Sequence, residues 1–288
     1  MSSALAFAVV ANKNVWEELR IMLISLRAYH GGTVYLLCDD ETKELVQNEN
    51  ITNVEFLCTA NPENLLEIKQ KFFNRPSHEM WQHCATHTHS AEMIYCKMDC
   101  LEWALSKEDQ VLFLDADIVF LRKFPVEELA KDTEVALSPH FQKATFDERY
   151  GKFNAGYLYC TSKTFPSWWR NAYLTDSKYY EQHCMNNIPA LYRTEILNKE
   201  HNVGFWRITN QEANLPRFNL DALKKALGFE VKNSIIYIEN KPVVAIHTHL
   251  FGPKTKFTYY KLFNTVIKSL AQEAGLQEPK EVLKAICK

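Results

Sequence analysis

With 288 residues, 47% of them hydrophobic and 12% aromatic, this is an ordinary globular chain with material for one large core or two small ones. Its 33 basic and 35 acidic side chains leave a formal charge of −2 with no block of like charge, which argues against nucleic acid or an anionic membrane surface as a bulk electrostatic partner. Eight scattered cysteines, several within apolar runs, fit reduced core thiols better than a disulfide framework, so a reducing compartment is expected.

The first ten residues, Met1 to Val10, carry no basic leader, and the apolar run stops at Asn12-Lys13-Asn14. That is too short for a signal-peptide core or a spanning helix, and no later segment approaches about 18 consecutive apolar residues. The expectation is a soluble, cytoplasmic protein.

Residues 4–10 read as a buried first strand. Over 14–29 the apolar positions Val15, Leu19, Met22, Leu23 and Leu26 fall at helical spacing. A second apolar run, 34–38, ends in Asp39-Asp40 and leads to a predicted helix over 41–48; a third run follows at 54–57. Strand, helix, strand, helix predicts a parallel sheet covered by helices, and ligands of such sheets bind beyond the carboxyl ends of the strands. Asn12, Asp39 and the pair Asp115/Asp117 all stand at such ends.

Between residues 61 and 90 the pattern loosens into a polar stretch with Pro62, Pro76 and four histidines, before a predicted helix over 91–105. That helix feeds the strand from Val111 to Phe120, where four apolar residues run into Asp115 and Asp117. Alternate side chains of a strand share a face, so both carboxylates are expected to point one way, with Ala116 on the other face leaving room for a ligand. Two such carboxylates repel unless a cation or proton lies between them, and cations of the Mg²⁺ or Mn²⁺ type take oxygen ligands readily. Further strands are predicted over 135–138 and 156–160, then an aromatic middle with Trp168, Trp169, Tyr179 and Tyr180. Strands over 235–238 and 243–249 are expected to close the sheet, with a helical tail over 257–288. No repeat, linker or composition break forces a second domain.

Within that frame, Phe153-Asn154-Ala155-Gly156-Tyr157 places small residues at a strand start, where a ligand can approach the backbone. Glu181-Gln182 offers a carboxylate and an amide suited to hydroxyl groups. His247 and His249 share a face of the last strand, and imidazole is the commonest nitrogen ligand for a transition metal. The turn Gly252-Pro253-Lys254-Thr255-Lys256 then brings positive charge suited to phosphates. Carboxylates, imidazole and lysine together make a site for a metal-bound diphosphate.

These pieces resemble the nucleotide-sugar glycosyltransferases of the GT-A fold, in particular the glycogenin-like group. The matching segments are the apolar strand into Asp115-Ala116-Asp117, the Phe153-Asn154-Ala155-Gly156 element, the Glu181-Gln182 pair followed by Asn186, and His249 and Gly252 with lysines beyond. The small soluble glycosyltransferases of large algal viruses, the chloroviruses, are similar in the same way. The resemblance implies an α/β fold: a single GT-A domain over 1–256, with a Rossmann-like, mostly parallel central sheet flanked by helices, and the tail 257–288 packed on it. It implies a UDP-sugar donor (xylose, galactose or glucose), a glycan acceptor, and Mn²⁺ or Mg²⁺.

Carried over residue by residue, Asp115 would meet the ribose and a metal-bound water, Asp117 the metal and the diphosphate, and His249 the metal, with His247 as the competing ligand. Lys254 would contact the β-phosphate. The family's lysine sits three residues after the glycine, a position held here by Thr255, so Lys254 and Lys256 are both in play. Lys97 matches the basic residue that reaches the sugar or its phosphate; Asn154 and Gln182 would hold the donor sugar's hydroxyls, and Ala11 and Asn12 the base. Asp39, Ala116, Ala155, Gly156 and Gly252 complete the donor-binding set. An inverting enzyme needs a base beside the acceptor hydroxyl, for which Asp147, Glu148 and Glu181 are candidates; a retaining one would use the neighbourhood of Gln182.

Three other readings compete. A haloacid-dehalogenase-type phosphatase also has an apolar strand entering Asp-x-Asp, but on its first strand. His83, His87 and His89 with Cys84 offer zinc ligands. A nucleotide-sugar binder without catalysis is the third. Trp168, Trp169, Tyr179, Tyr180 and Trp81 are candidates for stacking on acceptor sugars, against the plainer role of core or groove wall.

Overall fold

The computed structural model describes residues 4–58, 91–141, 144–209, 219–251 and 258–276. Its main sheet has seven strands: β1 (Ala6–Val10), β2 (Val34–Cys38), β3 (Val54–Cys58), β4 (Val111–Leu114), β6 (Val135–Pro139), β7 (Phe153–Cys160) and β8 (Thr194–Ile196). Their order is β3-β2-β1-β4-β7-β6-β8. All neighbouring pairs are parallel except those of β7, which runs against both β4 and β6. The expected α/β architecture, a mostly parallel sheet covered by helices, is therefore present.

The central strands are apolar at every position because both faces are covered. Ala6, Ala8 and Val10 of β1, with Val111 and Phe113 of β4, face α3 (Ala91–Lys107) through its Ile94, Met98, Leu101 and Leu105. The alternate residues Phe7, Val9, Leu112 and Leu114 face α1 (Trp16–Tyr29) through Leu19, Met22, Leu23 and Leu26. Asp39 caps α2 (Asp40–Asn48) by accepting from the Thr42 amide at 2.7 Å. Later helices are α4 (Ala144–Tyr150), α5 (Phe165–Thr175), α6 (Trp206–Thr209), α7 (Leu220–Ala226) and α8 (Thr258–Glu273).

The strands expected to close the main sheet do not join it. β10 (Phe229–Lys232), β11 (Ile235–Ile238) and β12 (Lys241–Pro242) form a small antiparallel sheet of their own. Its two tight turns put Asn233, Ser234, Glu239 and Asn240 at φ of 50°, 62°, 49° and 67°, the left-handed geometry of two-residue hairpins. Such turns pair each strand with its chain neighbour before a distant sheet edge is reached. β13 (Ala245–His247) lies between β5 (Ile118–Phe120) and β9 (Val203–Gly204) in a third sheet. Phe263, Val266, Ile267 and Leu270 of α8 share a core with Ile21, Val119 and Ile246. That core holds the third sheet against α1.

Among the described residues no helix is long and apolar enough to cross a membrane. Among the described residues, Cys38, Cys58, Cys96, Cys100, Cys160 and Cys184 form no disulfide.

His30 joins α1 to the end of β5. Its Nε2 accepts from the Phe124 amide at 3.1 Å, and its ring lies between Phe7 and Phe120, with centroids 5.0 and 5.3 Å away. Burial, aided by Lys123 and Arg27, pushes its pKa down to about 4. Buried His140 is likewise lowered to about 4. Because the unfolded chain takes up these protons first, the contribution to stability is complete above the ordinary histidine pKa of about 6.5 and is lost as pH falls from there toward 4. Urea unfolding should show stability falling through that window by up to about 1.4 kcal/mol per pH unit for each group. His30→Gln, which keeps an acceptor, should flatten the slope; an unchanged slope would remove His30 from this role.

Candidate active site

β4 ends at Leu114, and Asp115-Ala116-Asp117 is a turn rather than strand. Each side of the turn is tied to a different partner. The Asp115 amide donates to the Gly156 carbonyl at 2.8 Å, while the Asp117 carbonyl accepts from the Thr248 amide at 2.9 Å and hydroxyl at 3.2 Å. The carboxylates therefore do not share a face as expected on an extended strand. Asp115 turns to Lys97, whose Nζ lies 2.8 Å from Oδ1. Asp117 turns to the two histidines, with Oδ1 3.0 Å from His247 Nε2 and Oδ2 2.6 Å from His249 Nδ1.

Both histidines, rather than one of the two, reach Asp117. β13 ends at His247, so His249 lies past the strand and is free of its alternation. Its carbonyl accepts from Asn264 Nδ2 at 3.0 Å, and the Phe251 amide donates to Glu18 Oε1 at 2.7 Å, which ties the segment to α8 and α1. Trp206 packs edge-on against His247, and Tyr260 against His249, with centroids 5.2 and 4.6 Å apart. Ligand atoms of Asp117, His247 and His249 all lie within 4.8 Å of one another. Burial alone would raise the Asp117 carboxyl pKa; the two imidazoles overcome that and hold it well below the usual carboxylate range. One carboxylate and two imidazoles on three fixed backbone positions fit a divalent transition-metal ion.

Beside this cluster, Lys97 of α3 bridges two carboxylates. Its second partner is Glu181 Oε1 at 2.6 Å, and Glu181 is only 5% exposed. Burial opposes the ammonium charge, yet Asp115 and Glu181 together raise the Lys97 pKa above its ordinary value. Glu181 is held by its own backbone, since its carbonyl accepts from Trp169 Nε1 at 2.9 Å. Gly156 is needed for the arrangement, because a Cβ there would fall 2.1 Å from Asp115 Oδ2. The small residue makes room for a side chain of the chain itself.

Asn154 organises the strand beneath. Its Oδ1 accepts from the Gly156 amide and from Asn202 Nδ2, each at 3.1 Å, while its Nδ2 lies 3.3 Å from His140 Nε2. Ala116 and Ala155 are buried. Gln182 Nε2 donates to the Tyr150 carbonyl at 2.8 Å, and Asn186 bridges the Lys152 amide and the Asp147 carbonyl. Asp147 Oδ1 is buried without a hydrogen-bond partner, and burial raises that carboxyl's pKa against the pull of Lys152; Glu148 is exposed. Ala11, Asn12 and Asp39 meet at the ends of β1 and β2, where the Lys13 amide donates to Asp39 Oδ2 at 3.1 Å. Gly252, Lys254 and Lys256 lie outside the described residues, as do Trp81, His83, Cys84, His87 and His89.

His140, Asn202, Thr248 and Trp206 escaped sequence reading because nothing local marks them: each acts through a partner distant in sequence. Trp169, read as a candidate sugar platform, is fully buried, and Trp168 packs on Phe165 and Tyr192 at 5.8 Å each. Trp169 belongs to the core, and Trp168, partly buried, packs against it.

The fold matches solved transferase structures. This chain has the GT-A glycosyltransferase fold. A galactosyltransferase LgtC solved with donor and acceptor sugar analogs aligns over 96% of this chain and 98% of its own, at 17% identity and a TM-score of 0.56. Glycosyltransferase GlyE of Streptococcus pneumoniae TIGR4 aligns over 99% of this chain and 63% of its own, at 14% identity and a TM-score of 0.53. Mouse xyloside xylosyltransferase 1 aligns over 86% and 98%, at 11% identity and a TM-score of 0.52. No family model matches the sequence, and no curated protein does. The GT-A fold also argues against the phosphatase reading, since among the described residues three strands precede the aspartate-bearing one and Asp115 is paired with Lys97.

Replacing Lys97 with Met would leave Asp115 and Glu181 facing each other without their cation. Removing one member of a buried charge cluster costs about 3–5 kcal/mol, so Lys97→Met should lower the urea-unfolding free energy by that order. A loss below about 1 kcal/mol, the range of a surface pair, would show that the triad is not load-sharing.

Proposed function

We propose that this chain is a metal-dependent glycosyltransferase that moves a sugar from a UDP-sugar, with xylose, galactose or glucose as the shortlist, to a glycan acceptor. The observation that carries the reading is the convergence of Asp117, His247 and His249 beside the Lys97–Asp115–Glu181 triad, at the carboxyl edge of a GT-A sheet. UDP, and a cytoplasmic setting, rest on the motif resemblance.

Asp117, His247 and His249 would hold the divalent ion, and two nitrogen ligands favour Mn²⁺ over Mg²⁺, which prefers oxygen. When bound, such an ion stabilises the charge that develops on a departing nucleoside diphosphate. The chain's own residues do the rest. Asp115, held by Lys97 and Gly156, faces the ribose and keeps the turn in place. Lys97 keeps a fixed positive charge within a water-poor site, where it counts for more than in solvent. Asn154, whose amide is taken up by His140, Gly156 and Asn202, would act on the donor sugar by fixing the backbone of β7 beneath it. Glu181 is occupied by Lys97, which takes it out of the role of acceptor base. On an inverting route Asp147 is the better base than Glu148, because burial moves its pKa toward neutrality; on a retaining route Gln182 stands on the donor face.

A panel of UDP-sugars incubated with the enzyme should yield free UDP from one donor with Mn²⁺ and none with EDTA, and Asp117→Ala should reduce release by at least about a hundredfold. No release from any nucleotide sugar, with no UDP binding, would sink the assignment. Independently, Mn²⁺ titration followed by electron paramagnetic resonance should show one site, weakened roughly tenfold or more in His247→Ala and in His249→Ala. Unchanged affinity in either variant would remove that histidine from the ligand set.

A further inference from the structure

Two groups of aromatic rings converge on the metal-site end of the molecule, and the core does not account for the outer one. α4 buries none of its residues, yet it carries an aromatic pair at i, i+4. Phe146, 38% exposed, stacks on Tyr150 with centroids 5.8 Å apart and planes at 20°. Tyr150 meets Tyr179 edge-on at 4.7 Å, and Tyr179 meets Tyr180 at 4.8 Å. On the other side Tyr259 stacks on Phe205 at 5.6 Å, and Phe205 and Tyr260 touch the His249 ring at 5.4 and 4.6 Å. The two groups are neighbours. Burial, followed by Tyr180, Tyr150, Glu181 and Tyr259, pushes the Tyr179 phenol up to about 12.

The backbone is strained to hold this arrangement. Tyr180 sits at φ 42°, a left-handed position unusual for a bulky residue. The Ser177 hydroxyl donates to its carbonyl. One residue before it, Tyr179 joins the outer rings; one residue after it, Glu181 turns inward to Lys97. Polar groups line the same helix. The Arg149 guanidinium lies 5.2 Å over the Tyr150 ring, and Asp147 Oδ1 is buried with no hydrogen-bond partner.

We propose that this row is the acceptor platform: pyranose rings of an oligosaccharide stack on Phe146 and Tyr150, hydroxyls meet Asp147 and Arg149, and the chain runs past Tyr179 and Tyr259 to the metal centre. The proposal rests on the transferase reading above and adds where the acceptor binds and what it is. The chemistry favours sugar over protein. A pyranose has an apolar C–H face rimmed by hydroxyls, matching exposed ring faces interleaved with a carboxylate and a guanidinium. A stable protein contact needs a patch of about 800 Å² per partner, whereas this row is one ring wide and is continuous with the candidate active site.

The test uses the full chain and saturation-transfer NMR with three probes: lactose, maltotriose and xylotriose. At least one should bind saturably. Phe146→Leu, which keeps apolar bulk but removes the ring, should weaken it roughly threefold to tenfold, and Phe146→Trp should retain it. Because Phe146 is exposed, both variants should keep the wild-type unfolding midpoint; if either does not, Arg149→Met, which removes a hydroxyl partner without touching the rings, takes its place and should weaken the same probe. Equal binding by wild type and Phe146→Leu overturns the platform, as does the absence of binding by all three probes. A change in sedimentation without a change in glycan affinity also overturns it and assigns the face to a protein contact. UDP binding by the wild-type chain, measured in the same samples, separates the failures: UDP bound with no ring-dependent glycan binding removes the platform alone, and neither bound removes the transferase reading with it.

Discussion

The site depends on one turn with anchored ends. Asp115 is tied through its amide to β7, and Asp117 through its carbonyl to Thr248, just past β13. A three-residue segment caught between two sheets cannot continue as a strand, so its carboxylates part. One goes to a lysine and the other to two histidines. Without the third sheet, in which β13 pairs with β5 immediately after the turn, nothing would bring His247 and His249 to Asp117.

The divergence sorts charge into two compartments. Lys97 offsets the burial of Asp115 and Glu181 through short contacts, and the combination is favourable only because all three are present; a buried charge that loses its partner keeps its desolvation cost. The second compartment gathers one carboxylate and two imidazoles, whose ligand atoms all lie within 4.8 Å of one another, a donor set that suits a divalent cation. Separation prevents Lys97 from competing for Asp117. Gly156 permits it, since any side chain there would displace Asp115.

The aromatic residues illustrate how composition divides between packing and surface. Trp169 and Phe165 stack at 5.6 Å inside the core, whereas Phe146 and Tyr150 stack at 5.8 Å on a helix with no buried residue. Side-chain chemistry is the same in both pairs. What differs is whether a covering element follows: Phe165 opens a helix that packs on α3 and the sheet, while α4 is only two turns long. The sequence could rank aromatics by size but not by cover, which is why the buried Trp169 stood among the candidates beside Trp81, Trp168, Tyr179 and Tyr180 while Phe146 and Tyr150 did not.

Much of the scaffold was legible along the chain. The runs at β1, β2 and β4 are apolar at every position because a doubly covered strand must be, and α1 and α3 show their core faces at helical spacing. The motif residues Asp115, Asp117, Asn154, His247 and His249 were legible too, as polar groups at or near strand ends, and Glu181 as a carboxylate after the aromatic segment. Tertiary structure alone decided their partners. Alternation along a strand put Asp115 beside Asp117, and a turn undid it. Hairpins with left-handed residues diverted β11 from the main sheet. His140 and Asn202, 14 and 48 residues from Asn154, became its hydrogen-bond partners only when β6 paired with β7 and the third sheet packed beside them. Sequence determines which groups can carry charge, bind metal or bury apolar surface, because those are properties of single residues and short repeats. Which groups meet is a property of packing between distant segments, and it is there that a set of strand-end residues becomes a site.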